Sequence, residues 1–262
     1  MSTVPRRSPL RFLDPRRHVA AYRRWLFRGV LGTITHVATD SPVVALTFDD
    51  GPDPTWTPRL LEILATRNAR ATFFMLGRAA AAHRDLVRDV ARAGHAIGNH
   101  SWDHPSFPLI SGAERRAQIS RCADALAPHG GRLFRPPFGQ QSFASRIDAF
   151  VLGYRVVTWN VVAWDWLDHD AEWMTQQLLD RIRAGSIVLL HDAICPGGLE
   201  HEPHYPRDNM LAAVANVLRI LGDRMTFVTV PELLRHGRPQ RDLWMVEPSP
   251  QFAQRLAHQR GR

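Results

Sequence analysis

Short apolar runs alternate with longer amphipathic stretches through most of this 262-residue sequence, and this alternation restricts its fold more than any other feature. The apolar runs predict seven strands, at residues 43–48, 71–76, 96–99, 133–135, 156–161, 187–190 and 225–228. The stretches between them predict six helices, at residues 58–67, 83–93, 113–126, 142–152, 171–183 and 207–221. Such alternation is typical of β/α units around a parallel sheet or barrel. Seven strands indicate an α/β fold with an incomplete or distorted barrel rather than eight strands.

The two ends of the chain differ in composition from its centre. The first residues are rich in arginine, and up to Arg28 they are opposed only by Asp14. From about residue 237 the chain is polar and arginine-rich with little core-forming pattern, although Trp244, Met245 and Val246 would dock it locally. We therefore predict a basic N-terminal extension (1–40), one large domain (41–236) and a basic C-terminal tail (237–262).

Residues 18–30 have the pattern of an amphipathic helix, since Val19, Tyr22, Leu26 and Val30 fall near helical spacing. Such a helix would either lie in a membrane interface or pack against the bottom of the large domain. Packing is the more ordinary arrangement and is favoured here, with peripheral membrane contact through residues 18–30 as the alternative.

The net charge of +8 comes with an unusual choice of basic residue. All 33 basic residues are arginine, and the chain contains no lysine. A protein that needs a cationic patch would rarely avoid lysine completely, so the charge is better explained by a compositional bias. Nucleic acid is therefore not expected as a partner.

Cysteine content and hydropathy bear on location. Cys122 and Cys195 are too few for a disulfide framework and form no CxxC pair, which favours a reducing compartment. The sequence has no apolar run of about eighteen residues, the length that spans a bilayer. The apolar stretch near the N-terminus is broken by Arg23, Arg24 and Arg28, unlike a signal peptide. We predict a cytoplasmic protein, with peripheral attachment to the membrane as the alternative.

Two adjacent carboxylates follow the first strand predicted for the large domain. Asp49 and Asp50 come directly after residues 43–48, and Gly51 and Pro52 then turn the chain. Catalytic groups of β/α barrels gather at the C-terminal ends of strands. Two carboxylates at such a position would divide the work, one binding a metal ion and the other handling a proton. Considered alone the pattern is weak, because a capped turn uses the same residues.

A pair of histidines follows the third predicted strand. His100 and His104 are four residues apart, so on a helical turn both rings would reach one cation. Two imidazoles and one carboxylate leave open positions on a divalent ion, as in catalytic sites. His201 and His204 form a similar pair, but they lie in an apparent loop without a preceding strand and are interpreted as a chance pattern.

Three further polar residues lie at or near strand ends. Arg135 follows an apolar run, and a guanidinium can hold a carboxylate in a fixed orientation. Asp165 lies in a tryptophan-rich segment, and His191 ends the run at residues 187–190. A lone histidine there is more often structural, but here it completes a set of five motifs.

These five motifs together resemble the NodB-type polysaccharide deacetylase family. They are TFDDGP at residues 47–52, HSWDH at 100–104, RPPFG at 135–139, WNVVAWDW at 159–166 and LLHD at 189–192, and they occur in the family's order. The resemblance extends from about residue 41 to 236. It implies a distorted (β/α)7 barrel, the NodB homology domain. It also implies a metal-dependent hydrolase that removes acetyl groups from N-acetylated sugars.

The resemblance implies a metal site and a general base. Asp50, His100 and His104 would bind a divalent metal ion, zinc in first place with cobalt, nickel or manganese as alternatives. Asp49 would take a proton from the attacking water, and Arg135 would orient Asp49. An acetamide is a poor electrophile, so a cation that polarises it and acidifies a water near neutral pH fits this chemistry.

The resemblance also implies a general acid and a pocket. His191 would protonate the departing amine, and Asp165 would hold its ring. An acid of intermediate pKa suits a leaving amine. The backbone N–H of Phe138 would help stabilise the oxyanion, and Trp166 and Leu189 would line the acetyl pocket.

Two positions depart from the family pattern. Val162 stands where an aspartate is usual, which puts the polar network around Asp165, and with it the pH optimum, in doubt. Phe138 stands where tyrosine is usual, but its implied role uses backbone N–H, so the missing hydroxyl should matter little.

Several alternatives stay open from the sequence. An O-acetyl glycan esterase or an amidase for a small non-sugar amide would use the same site. A catalytically silent carbohydrate-binding relative would be expected to lack Asp49, His191 or a metal ligand, and all are present. A phosphatase with an aspartyl nucleophile would want a lysine, which the chain lacks. Chitooligosaccharide, peptidoglycan, an exopolysaccharide precursor and a lipid-linked sugar are all compatible substrates.

Overall fold

A parallel sheet wrapped by helices forms the body of the protein. The structure is a computed structural model in which residues 28–195 and 206–254 are described. Its strands are β1 (Thr33–Ala38), β2 (Val43–Asp49), β3 (Thr72–Met75), β4 (Ala96–Asn99), β5 (Gly130–Phe134), β6 (Arg155–Val156), β7 (Val161–Val162), β8 (Ile187–His191), β9 (Thr226–Phe227) and β10 (Arg238–Asp242). Its helices are α1 (Trp56–Ala65), α2 (Gly77–Ala82), α3 (Arg84–Arg92), α4 (Gly112–Leu126), α5 (Phe143–Val151), α6 (Ala171–Arg181), α7 (Asp208–Leu221) and α8 (Val230–Leu233).

The order of the main sheet is β6-β5-β4-β3-β2-β8-β7, and β9 pairs with the beginning of β2. All these neighbours run parallel. Among the described residues, the end strands β6 and β7 do not pair with each other, so the barrel is open between them. Strand β1 lies at this opening, where Ile34 forms a β-bridge with Val157 and His36 forms one with Ser186. The predicted distorted β/α barrel is therefore confirmed.

Alternation along the strands decides which side chains face the interior of the barrel. Val44, Leu46 and Phe48 of β2 pack in one cluster with residues of the surrounding helices. Ala45 packs in a second cluster with Phe74 and other inward-facing residues of the neighbouring strands. Because successive side chains of a strand point to opposite faces, the residues two and four positions after Ala45 face the interior as well. These residues are Thr47 and Asp49.

The helix predictions are confirmed, with ends that differ by no more than two residues. Local signals explain the accuracy at α4, where Ser111 and Glu114 form a reciprocal capping box. The sequence interpretation missed α2 and α8, which are too short for a helical period to be recognised. Within the described part of the chain, no helix is long and apolar enough to span a membrane.

The prediction of one strand at residues 156–161 is wrong. The run instead forms two strands of two residues, with β6 on β5 and β7 on β8, at opposite ends of the sheet order. Between them Val157 and Thr158 donate N–H bonds to Phe134 and Ile34. A continuous apolar run does not reveal that its two halves pair with different strands.

The terminal segments contribute more to packing than their composition predicted. β1, assigned to the N-terminal extension, pairs antiparallel with β10, assigned to the C-terminal tail. Ile34 of β1 is fully buried in the interior cluster. Trp244 does dock locally, since its indole packs on Trp159 and its Nε1 donates to the carbonyl of Gly139 at 3.0 Å. The packed structure therefore extends beyond residues 41–236 at both ends. The domain boundaries at residues 40 and 236 stay predictions.

Some predictions lie wholly or mostly outside the described residues. Residues 28–31 are helical, but the rest of the amphipathic segment at 18–30 lies outside, as do His201 and His204. Membrane contact through that segment and a cytoplasmic location stay predictions from the sequence.

Candidate active site

The two adjacent carboxylates lie at the C-terminal end of β2. Asp49 is its last residue and is almost completely buried, and Asp50 follows with a left-handed φ of 74°. Gly51 follows, and a Cβ there would collide with the buried carboxyl group of Asp192. The chain therefore places both carboxylates at the inner rim of the barrel, as predicted from their position after a strand.

Arg135 fixes Asp49 from inside the barrel. Its Nη1 donates to Asp49 Oδ1 at 2.7 Å and to Thr47 Oγ1 at 2.8 Å. Its Nη2 and Nε donate to the carbonyls of Thr158 and Val157 at 2.9 and 3.3 Å. Burial lowers the pKa of Arg135, and the Asp49 carboxylate opposes that shift. A guanidinium bonded on several sides holds its carboxylate partner in one orientation.

The histidine pair lies on a loop, so the expected helical turn is wrong. Ser101 and His104 both have left-handed φ values, 75° and 63°. The loop is stabilised by the Asn99 side chain, which accepts the N–H of Ser101 at 2.9 Å, and by Ser101 Oγ, which accepts the N–H of His104 at 3.1 Å. The His100 ring is oriented separately, because its Nδ1 lies 2.8 Å from the carbonyl of Arg135.

Asp50, His100 and His104 form a buried cluster with the composition of a metal site. One ligand atom from each residue lies within 4.8 Å of the other two. Asp50 Oδ1 is 3.3 Å from His100 Nε2 and 3.4 Å from His104 Nε2. Asp50 Oδ1 and His104 Nδ1 are buried without a well-oriented hydrogen bond among the described residues. Carboxylate oxygen and imidazole nitrogen suit a divalent cation, and three protein ligands leave positions open.

The protonation states of this cluster also favour a cation. Burial disfavours the charged carboxylate of Asp50, but the neighbouring His104 and His100 hold its pKa well below the ordinary value. Burial lowers the pKa of His104 to about 4, and Asp50 only partly opposes the shift. The site therefore offers an ionised carboxylate and a neutral imidazole at neutral pH, the forms that bind metal ions.

His191 lies opposite Asp49, since the two residues are register partners on the adjacent parallel strands β8 and β2. Its N–H donates to Asp165 Oδ2 at 2.8 Å, and its Nδ1 lies 3.0 Å from Asp165 Oδ1. Burial alone would lower the pKa of His191, but Asp165, together with the nearby Asp50 and Asp49, outweighs burial and raises the pKa to about 9. The imidazole is therefore held as a proton donor near neutral pH.

Comparison with known proteins identifies the family to which this arrangement belongs. A family model described as polysaccharide deacetylase matches residues 36–157. A chitooligosaccharide deacetylase of Azorhizobium caulinodans is 39% identical over 171 residues, which make up 64% of this chain and 81% of the relative. The chain belongs to the polysaccharide deacetylase family.

A further relative and a solved structure agree with this assignment. A peptidoglycan-N-acetylglucosamine deacetylase of Bacillus cereus is 35% identical over 208 residues, covering 76% of this chain and 92% of the relative. The solved structure of a peptidoglycan N-acetylglucosamine deacetylase with 4-naphthalen-1-yl-N-oxidanyl-benzamide superposes with a TM-score of 0.70. That match has 29% identity and covers 79% of this chain and 94% of the other. The family predicted from the five motifs is confirmed.

The residues expected to line the pocket lie beside His191 or His104. Trp166 packs edge-on against His191 with ring centres 5.4 Å apart. Leu189 is buried two positions before His191 on β8, which places it on the same face of the strand. Phe138 has a left-handed φ of 57°, and its ring centre lies 4.3 Å from that of His104. Phe252 of the C-terminal segment packs on Phe138, a contact that the sequence interpretation did not anticipate.

Arg207 is a further residue that the sequence interpretation did not assign to the site. It is buried, and its Nη1 donates to the carbonyl of Asp165 at 2.8 Å and lies 3.4 Å from Asp165 Oδ2. This arginine supports Asp165 in a chain that has Val162 where the family usually has an aspartate. No local sequence signal could have identified it, because Arg207 precedes α7 and meets Asp165 only in the folded structure.

Asp192 is a second missed residue. Its carboxyl is buried, and it accepts the Thr57 hydroxyl at 2.5 Å while Oδ1 has no hydrogen-bond partner among the described residues. Burial raises the pKa of Asp192 to about 7, although the Thr57 hydrogen bond opposes the shift. The signal was present in the sequence, as an aspartate directly after His191, but a single adjacent carboxylate does not indicate burial.

We expect Asp192→Asn to stabilise the cation-free protein in a pH-dependent way. A carboxyl whose folded pKa is raised contributes stability below its unfolded pKa of 3.8, and that contribution is lost as pH rises through about 7. The neutral amide escapes this loss, so its advantage should grow from pH 4 to pH 7 and reach about 4 kcal/mol. Urea unfolding across this pH range measures it, with exposed Asp124→Asn as the control. A difference independent of pH would contradict the raised pKa.

Proposed function

We propose that this protein is a metal-dependent hydrolase that removes acetyl groups from N-acetylated sugars. The observation that carries the proposal is the position of Asp49 and His191 as register partners beside the Asp50, His100 and His104 cluster. A potential proton acceptor and a potential proton donor thereby lie on neighbouring strands next to one cation site. Metal-dependent hydrolysis of an amide uses all three components.

Asp50, His100 and His104 would hold the divalent cation. When bound, the cation would polarise the acetyl carbonyl and lower the pKa of a water molecule. Two imidazoles with one carboxylate favour zinc, and cobalt, nickel or manganese remain alternatives because such donor sets do not select one ion by affinity alone. A cation at this site is supported by two buried atoms, Asp50 Oδ1 and His104 Nδ1, which lack hydrogen-bond partners in the described structure.

Asp49 would act as the general base. Its Oδ1 is occupied by Arg135, and its Oδ2 lies 3.7 Å from His100 Nε2, close to the proposed cation site. Asp49 would take a proton from the attacking water while Arg135 keeps the carboxylate from rotating. The water oxygen then forms a bond to the acetyl carbon, and the Phe138 N–H would stabilise the oxyanion that results.

His191 would act as the general acid. As the carbon–nitrogen bond of the tetrahedral intermediate breaks, His191 would give its proton to the amine nitrogen, and acetate leaves the site. Trp166 and Leu189 would enclose the acetyl methyl group. An alcohol leaves more readily than an unprotonated amine, so a histidine held in its protonated form by Asp165 supports an amide rather than an ester as substrate.

The substrate class follows from the named relatives. They are chitooligosaccharide deacetylases and peptidoglycan-N-acetylglucosamine deacetylases. We therefore propose glycans that contain N-acetylglucosamine as substrates of this chain. A lipid-linked sugar with the same acetamide would satisfy the same site.

The proposal is tested by measuring acetate release from N-acetylglucosamine oligomers. We expect release that falls to background after chelation and returns with zinc or cobalt. His104→Ala should lose both bound metal and activity, whereas the exposed His129→Asn should keep both. Release that persists in chelated protein would exclude the metal-dependent mechanism. Metal binding without release from N-acetylated oligomers, but with release from O-acetylated xylan, would establish the esterase alternative.

A further inference from the structure

A cavity lies at the opposite end of the barrel from the proposed active site. Its volume is about 290 Å³, and its lining includes residues 30–32 before β1 and residues 153–156 at the start of β6. The proposed catalytic residues instead lie at the C-terminal ends of β2 and β8 or follow β4 and β5. Because the main strands are parallel, the two sites are at opposite ends of the sheet.

Arg146 of α5 lines this cavity and is only 2% exposed. Its Nη1 donates to the carbonyl of Leu243 at 3.1 Å. Its Nε and Nη2 are buried and have no hydrogen-bond partner among the described residues. A buried cationic group with unsatisfied donors is costly, so a ligand that accepts both N–H bonds would remove that cost. Nε and Nη2 form one edge of the guanidinium plane, the edge that binds two oxygens of one anion.

Two more arginines line the same cavity, and no acidic residue of the described chain is in the lining. Arg155 begins β6 and is exposed, while Arg241 of β10 donates to the carbonyl of Gly32 at 3.1 Å. The nearby Asp242 is already paired with Arg28 at 3.4 Å. The pKa of Arg146 falls to about 10 because of burial and the neighbouring Arg241, and Asp242 only partly opposes this. The cavity is therefore positively charged without an internal counter-ion.

We propose that this cavity binds a phosphate-type oxyanion, either free or as the phosphate group of a larger molecule. Three guanidinium groups exceed the single charge of a carboxylate, and a phosphate monoester carries up to two negative charges. Tetrahedral oxygens can also accept from Arg146, Arg155 and Arg241 in directions that do not share one plane, whereas the acceptor directions of a carboxylate lie in its own plane. The exposed apolar residues Val30 and Phe150 in the lining leave room for an apolar group attached to the phosphate.

The test is calorimetric titration of the full chain with inorganic phosphate, after removal of metal ions so that the proposed active site holds no cation. We expect one phosphate per chain. Arg155→Gln should weaken binding about tenfold, the effect of losing one charged hydrogen bond. Arg155 is exposed, so this variant should fold normally, and it leaves the proposed catalytic residues intact. Arg219→Gln, on the exposed face of α7, is the matched control.

Vesicles separate the two sources of the phosphate group. Cosedimentation with phosphatidylcholine vesicles containing phosphatidic acid, lost on adding inorganic phosphate and absent in Arg155→Gln, would assign the site to a lipid headgroup. Phosphate binding without vesicle binding would assign it to a soluble phosphate. Absence of phosphate binding, or equal affinity in wild type, Arg155→Gln and Arg146→Met, would overturn the proposal.

Discussion

Asp49→Asn should lower kcat for acetate release from N-acetylglucosamine oligomers by about 10²–10⁴-fold, the usual contribution of one general base. The substitution removes the proton acceptor and changes little else. Arg135 Nη1 can still donate to the amide oxygen that replaces Asp49 Oδ1, so the buried arginine keeps its partner. Asp50, His100 and His104 are unchanged, and the variant should still bind one divalent cation.

Metal content and kcat therefore have to be measured on the same preparation. Asp40→Asn is the matched control, because Asp40 is exposed and precedes the other end of β2. A variant that retains its metal and loses its rate would identify Asp49 as the base. A variant that keeps its wild-type rate would exclude that role, and one that loses metal together with rate would place Asp49 among the ligands.

The parts of the site that could be predicted from the sequence are the residues at strand ends, because the two-residue alternation of a strand determines which way their side chains face. Asp49 ends β2 and His191 ends β8, so each follows an apolar run whose alternation places the side chain inside the barrel. Arg135 follows β5 in the same way. Parallel strands then bring these residues together at one end of the sheet, so their common location followed from the strand pattern, whereas their roles came from the resemblance to the family.

The parts that could not be predicted depend on contacts between distant segments. Arg207 reaches Asp165 across 42 positions of sequence. The pairing of β1 with β10 joins the two ends of the described chain, and neither strand is apolar enough to be recognised alone. The loop at His100 and His104 was misread for a local reason, since the Asn99 side chain bonds to the Ser101 N–H and starts a turn where spacing suggested a helix.

Asp165→Asn should lower the pKa of His191 and shift the alkaline limit of activity to lower pH. Burial lowers the pKa of His191, and Asp165 is the largest influence that raises it to about 9. Without that carboxylate, Asp50 and Asp49 still oppose burial, so the pKa should fall from about 9 toward the ordinary value of 6.5. The smaller fraction of protonated acid should reduce kcat for an N-acetylated substrate by about tenfold at pH 8.

The same substitution has a consequence for stability with a defined sign. A histidine whose folded pKa is raised contributes stability that is complete below pH 6.5 and is lost as pH rises to about 9. In cation-free protein this contribution is about 3 kcal/mol, and Asp165→Asn should reduce it together with the pH dependence in that interval.

Carbon-13 NMR of labelled histidine measures the pKa directly, and Asp168→Asn, exposed in the same loop, is the control. A bound divalent cation beside Asp50 adds positive charge near His191, so the pKa in metal-loaded wild type should lie below that of the cation-free protein. If the His191 resonance titrates at the same pH in Asp165→Asn and wild type, Asp165 does not hold the proton on this ring, and His191 would lose its assignment as the acid.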